Sequence, residues 1–158
     1  MKRRKTPQNL GWTLLIGILT TACTTLPPET PVPAAETGQN VQLTVRFEGV
    51  DAAVGQIVGA LYTSEASFER GDSPYRSLVQ PVEGASPEWR LDLPAGEYAI
   101  KAYWDLDRDR VLDRTDFGVP IEPYGFSNNA RGAFGPPSWE KTRFKLGPDG
   151  LTLSIELR

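Results

Sequence analysis

The chain has no histidine, a single cysteine and a single methionine. Without histidine it lacks the side chain that most often acts as a general base near neutral pH and most often ligates metals. A lone Cys23 cannot make an internal disulfide, a zinc–thiolate cluster or a CxxC redox pair. Long apolar runs are missing too: the longest, Leu10 to Leu19, falls short of the roughly 20 residues a spanning helix needs. No amphipathic helix of about ten residues can be drawn anywhere. Positive charge is scarce once the N-terminus is set aside. Lys2, Arg3, Arg4 and Lys5 hold four of the seventeen basic residues, which leaves thirteen against twenty acidic ones, a net of −7. Such a body repels phosphate backbones, so nucleic acid is excluded as a partner, and an anionic bilayer would hold it only through an anchor. At 158 residues the chain suits one domain, not a multidomain machine.

The N-terminus supplies that anchor in outline. Four basic residues lead, LGWTLLIGIL follows, and Thr20-Thr21-Ala22 precede Cys23. A basic head, a short apolar middle and small residues before a cut site describe a secretory signal over residues 1–22. The only cysteine stands where bacterial lipoprotein signals place theirs, although Thr20 occupies the place where Leu is usual. Cleavage before Cys23 would leave it lipidated, and several acyl chains satisfy the requirement for stable membrane attachment. The plainer reading is an ordinary cleaved signal in which Cys23 is incidental. Thr24, where an Asp would retain the protein at an inner membrane, leans towards the outer membrane facing the periplasm. Residues 24–40 carry four Pro and four Thr and almost nothing to bury, so residues 23–40 are expected to be a lipidated tether reaching roughly 50 Å.

Residues 41–158 are expected to form the folded domain. Val41, Leu43, Val45 and Phe47 alternate with Gln42, Thr44, Arg46 and Glu48, the period of a half-buried strand. QIVGALYT (56–63) is apolar on both faces and therefore more central. Arg76 to Val82 reads as an edge strand because Pro81 would interrupt an inner one. Trp89, Leu91 and Leu93 alternate again, and LPAGEY (93–98) turns into the strand 97–104. Residues 142–146 and 151–157 flank Gly147-Pro148-Asp149-Gly150, a hairpin signal. About seven short strands predict an all-β fold, a β-sandwich of antiparallel strands.

One loop carries candidate chemistry. DLDRDRVLDRTD (105–116) places Asp105, Asp107, Asp109, Asp113 and Asp116 at positions one, three, five, nine and twelve, with the carbonyl of Val111 at seven. Those are the ligand positions of a calcium loop, in which a curled chain converges oxygens on a hard cation that wants six to eight of them. Position six, a Gly in such loops, is Arg110, and a left-handed backbone there would cost roughly 1–2 kcal/mol. Asp116 is shorter than the usual bidentate Glu. The competing reading is a solvated loop whose Asp and Arg charges pair with one another at about 0–1 kcal/mol each. Any calcium affinity is expected to be weak, about 10⁻⁴–10⁻³ M, with the ion stiffening the loop and taking no part in a reaction.

The connection that follows mixes Gly, Pro, Asn and aromatics. Tyr124, Phe126, Phe134 and Trp139, with Asn128, Asn129 and Arg131, can form a ligand surface beside the acidic loop. Alternatively the aromatics plug one end of the sandwich while the asparagines accept left-handed turns. LPAGEY, the strand into Trp104-Asp105-Leu106-Asp107, Phe117-Gly118-Val119-Pro120 and above all YGFSNNARGAFGPPSWE resemble a bacterial family of exported proteins known as domain of unknown function 2141. The resemblance covers about residues 41–157. It implies an immunoglobulin-like or transthyretin-like β-sandwich in the cell envelope and no established activity.

The expectation is a non-enzymatic, lipid-anchored envelope module that binds or scaffolds an envelope protein or glycan, with calcium on its acidic loop. A carbohydrate-binding module using the aromatics is the first alternative. A hydrolase using two of the aspartates as acid and base is the second, and bunching of the acids in one loop counts against it.

Overall fold

Alternating apolar residues become two facing sheets in the computed structural model, which describes residues 39–84 and 86–158. Strand β1 (Val41–Glu48) buries Leu43, Val45 and Phe47 and exposes Gln42, Arg46 and Glu48. It is the centre of a three-stranded sheet, between β4 (Glu88–Leu93) and β8 (Leu151–Glu156). The other sheet runs β3 (Arg76–Pro81), β2 (Gln56–Tyr62), β5 (Gly96–Asp105), β6 (Tyr124–Phe126). β7 (Phe144–Leu146) shares the far side of β5 with β6, pairing with Gly96–Tyr98 while β6 pairs with Lys101–Tyr103. The all-β sandwich is as the alternation predicts, with β2 internal and the Pro81 strand at an edge.

Three details differ from the sequence reading. The described residues form eight strands where about seven are expected, because three-residue β6 is too short for any period to show. The sandwich is not wholly antiparallel, since β1 and β8 pair in parallel. And Gly147–Gly150 does not close a hairpin. β7 pairs with β5 and β8 with β1, so the turn carries the chain from one sheet to the other and keeps both strands' apolar faces on the core. Gly150 is left-handed there (φ 77°), and a Cβ would lie 2.7 Å from the Gln42 carbonyl oxygen.

Leu43, Val45, Ile57, Leu61, Leu93, Ile100, Leu146 and Ile155 are fully buried between the sheets. The Trp89 indole meets Phe47 edge-on at 4.6 Å and lies against Gly59, where a Cβ would stand 2.3 Å from the ring. Tyr98 in LPAGEY donates its hydroxyl to the Pro94 carbonyl at 2.7 Å, the corner found at strand entries in immunoglobulin-type sandwiches. At one edge Tyr124 and Arg158 exchange both backbone hydrogen bonds, at 3.3 and 3.2 Å, joining the two sheets.

Two short helices complete the domain. α1 (Glu65–Arg70) starts at Ser64, whose Oγ accepts the Ser67 N–H, and ends at left-handed Gly71. α2 (Trp139–Thr142) follows the long aromatic connection. Phe68 of α1 and Trp139 of α2 pack with Tyr62, Ala99 and Phe126 in a second cluster, on the outer side of the β2–β5–β6 sheet. Among the described residues no helix is long and apolar enough to cross a membrane. The export signal, Cys23 and all but the last two residues of the tether lie outside the described residues.

Candidate functional site

The acidic loop begins where β5 ends. Register pairs Asp105 with Gln56, and the Gln56 amide donates to Asp105 Oδ2 at 2.6 Å. The Asp105 side chain is fully buried, yet its oxygens also accept the N–H groups of Arg108 (2.7 Å) and Arg110 (2.9 Å). Asp107 accepts the Asp109 N–H at 3.2 Å and Asp109 accepts the Val111 N–H at 2.7 Å, two successive turns of the kind aspartate favours. Each carboxylate thus pulls in the backbone ahead of it. The curl needs left-handed residues at Arg108 (φ 69°) and Arg110 (φ 67°), and Arg110 adopts the conformation that position six of such a loop requires.

That winding gathers one carboxylate oxygen each from Asp105, Asp107 and Asp109, all within 4.8 Å of one another. Asp113 and Asp116 are not part of the cluster. Asp116 sits in a turn closed by Gly118 N–H on the Thr115 carbonyl at 2.8 Å, at the tip of a small hairpin bridged by Arg114 and Pro120. Val111 is exposed. The residue that sequence reasoning missed is Glu122. Its buried carboxylate accepts Leu106 N–H at 2.8 Å and Asp113 N–H at 3.2 Å, clamping both shoulders of the loop. Nothing around it in Ile121-Glu122-Pro123 signals this. Gln56 did carry a signal, as the one polar residue opening an apolar inner strand.

Burial alone would raise the Asp105 pKa. The hydrogen bonds from Gln56, Arg110 and Arg108 outweigh it and hold the carboxyl below its ordinary 3.8, so Asp105 is an anion in the folded protein. Tyr103 next to it is pushed up to about 12, first by burial and then by the negative charge of Asp105, Glu122 and Asp109. Among the described residues no ion pair involves Arg108, Arg110 or Arg114. The carboxylates of the loop therefore have no direct guanidinium partner among the described residues. Hard oxygen donors in close approach are the chemistry a calcium-type ion takes, and Asp105, Asp107 and Asp109 are the residues whose side chains could ligate one.

The aromatic connection divides. Phe126 and Trp139 are buried, Trp139 edge-on to Phe68 at 5.8 Å, whereas Tyr124 is half-buried and Phe134 fully exposed. Arg131 is exposed. Asn128 and Asn129 are left-handed (φ 59° and 51°) and work as fasteners. The Asn128 amide faces the carbonyls of Lys141, Thr142 and Arg143, the last at 2.9 Å, and Asn129 Oδ1 accepts Glu156 N–H at 2.8 Å. Buried Ser127, just ahead of them, accepts Ile100 N–H at 2.9 Å and donates to the Thr142 carbonyl at 2.7 Å. The Ser-Asn-Asn triplet thus stitches β5, the end of α2 and β8 together.

A strand entry cornered by Tyr98, an Asp-rich loop leaving β5 and the Ser-Asn-Asn fastener occur here in one sandwich. Over residues 45–154, well over half its length, the chain matches the family described as "Uncharacterized protein conserved in bacteria (DUF2141)". It belongs to that family. No curated protein and no solved structure matches it. In this DUF2141 member part of the outer sheet face is left open. Beyond the second cluster lies a cleft of about 420 Å³ over β3, β2, β5 and β6, bordered by Leu112, Arg114 and Pro136 from the loops.

Proposed function

We propose that this DUF2141 protein is a non-enzymatic, lipid-anchored module of the bacterial cell envelope that binds or scaffolds, with calcium ordering its acidic loop. The observation that carries the cation part is the convergence of Asp105, Asp107 and Asp109 oxygens within 4.8 Å around a backbone curled through two left-handed arginines. The anchor is supported by the basic, apolar, small-residue order leading to Cys23, and the reach by the Pro/Thr tether. Attachment at the outer membrane, facing the periplasm, follows from the same reading. A bound divalent ion would supply positive charge at the centre of three carboxylates, and the role of the chain is to hold those oxygens, through Gln56 and Glu122, where they would otherwise repel.

Thermal melts in calcium and in chelator test the cation. With an affinity near 1 mM, about 10 mM calcium adds about 1.4 kcal/mol, a rise in Tm of several degrees. Superimposable curves would remove calcium from the proposal. Incorporation of labelled fatty acid, abolished in Cys23→Ala, tests the anchor, and unlabelled wild-type protein refutes it. Asp105→Asn with Asp107→Asn should lower stability and erase the calcium response, whereas under the hydrolase alternative it would abolish a turnover. The glycan alternative keeps one observation in its favour: Tyr103 and Tyr124 stand side by side on the open sheet face, and screens against peptidoglycan and glycans decide it.

A further inference from the structure

The register of the outer sheet lays its side chains in rows. Val79, Val58, Tyr103 and Tyr124 form one row and Ser77, Ala60, Lys101 and Phe126 the next. α1 and Trp139 cover the following row, Tyr62 and Ala99, and stop there. The uncovered rows are the floor of the cleft, which falls within the roughly 300–1,000 Å³ of small-molecule sites and is mostly apolar. Ala60 and Ser77 make it concave. A second hollow, between the 112–120 hairpin and residues 132–136, shares Leu112, Arg114, Tyr124, Phe126 and Pro136 with the first, so the two adjoin. Its lips are Phe117 and Phe134, respectively 95% and 106% exposed. Two fully exposed phenylalanines beside one hollow mark an interaction surface, since large apolar side chains are seldom left so bare in clusters.

Charge selects the occupant. Lys101 lines the cleft where it meets α1, with its ammonium 4.2 Å from the centre of the Phe68 ring and 5.2 Å from that of Tyr62. It donates one hydrogen bond, to the Phe68 carbonyl at the end of α1. No carboxylate pairs with it among the described residues, and the carboxylate of nearby Glu69 accepts the Trp139 N–H at 3.0 Å. An ammonium with spare donors at the inner end of an apolar cleft complements one negative group on an apolar body. A cation would be repelled there, and a multiply charged anion would be repelled by the acidic domain around it.

We propose that this cleft binds an amphipathic carboxylate of the fatty-acid type, its carboxylate on Lys101 and its chain along Val58, Tyr103 and Tyr124 towards Phe117 and Phe134. This deepens the binding role proposed above by naming a ligand class, and it requires neither the cation nor the anchor.

A photoreactive dodecanoate analogue, applied to the purified full chain in calcium and in chelator, tests it. Labelling should saturate, map to the peptides holding Val58, Tyr103 or Tyr124, and occur in both conditions. Dodecanoate should compete about tenfold better than dodecanol, the worth of one charge-assisted hydrogen bond. Lys101→Met, which keeps the apolar stem, should erase that preference while leaving dodecanol competition in place. Should loss of the α1 contact unfold that variant, as circular dichroism would reveal, Val79→Glu on the exposed edge strand serves instead and should weaken dodecanoate competition. Labelling that never saturates or maps elsewhere, or equal competition by acid and alcohol in wild type, would overturn the proposal. Labelling confined to calcium would show a site that depends on the cation loop, which overturns the independence claimed here while sparing the cation reading.

Discussion

Two loops of this domain solve the same conformational problem with different chemistry. The acidic loop holds Arg108 and Arg110 left-handed, and the fastener holds Asn128 and Asn129 left-handed. Asparagine enters that region at little cost, whereas arginine does so at roughly 1–2 kcal/mol. In the fastener the backbone is secured by neutral groups: the Ser127 hydroxyl and two side-chain amides bond to β5, α2 and β8. In the acidic loop it is secured by anions, with Asp105 accepting three hydrogen bonds and Glu122 two. Neutral bonds do not respond to the solution. Carboxylates respond to pH and to cations. The fastener therefore belongs to the permanent frame, and under the proposed function the acidic loop would be the part whose order is set from outside.

The largest effect should come from cutting the frame. Ser127→Ala leaves the Ile100 N–H without its partner in a fully buried place and takes from the Thr142 carbonyl the closer of two donors, the Asn128 amide remaining. The expected loss is about 2–4 kcal/mol in urea unfolding, the same at pH 4 and pH 7. A loss that varied strongly with pH would break the division between the loops.

Gln56→Leu cuts the other side. Among the described residues it removes the one side-chain amide on buried Asp105 and should cost about 1–3 kcal/mol. Here pH matters. The folded-state value of Asp105 lies below 3.8, so its contribution is fully present above pH 3.8 and is lost as pH falls through the lowered value. Without Gln56 the folded value rises, and the acid side of the stability profile should move to higher pH. An unmoved profile would show that Arg108 and Arg110 amides suffice.

How much of this could be read from residues alone depends on the range of the interaction. The strands were readable because alternation is local: Leu43, Val45 and Phe47 announce one face by themselves. The order of Asp105, Asp107 and Asp109 was readable because the curl is built from neighbours two residues apart. Pairing across the sandwich was not. Gly147–Gly150 has the composition of a hairpin, and only the choice of partners, β5 for β7 and β1 for β8, decides that it is a crossing. Glu122 escaped for the same reason, since its partners Leu106 and Asp113 are sixteen and nine residues away and are backbone amides, which leave no mark in a sequence. The aromatics from Tyr124 to Trp139 looked alike in sequence, and it took α1, itself too short to show a period, to bury Trp139 and leave Phe134 outside.

The finest separation comes from making one substitution in both loops. Arg110→Gly relieves a left-handed arginine whose side chain makes no hydrogen bond or ion pair among the described residues, so only strain is removed. A gain of about 1 kcal/mol is expected, reduced by the extra freedom of glycine in the unfolded chain. Asn128→Gly gains little from relief, because asparagine is already at ease there, and it forfeits the amide that holds Arg143 and its neighbours. A loss of about 1 kcal/mol is expected. Opposite signs from the same change would mean that one loop is strained and open to improvement by a cation or a glycine, while the other is already at its optimum. Equal signs in matched urea titrations would mean that the two left-handed pairs are held alike, and that the acidic loop has no special dependence on what neutralises it.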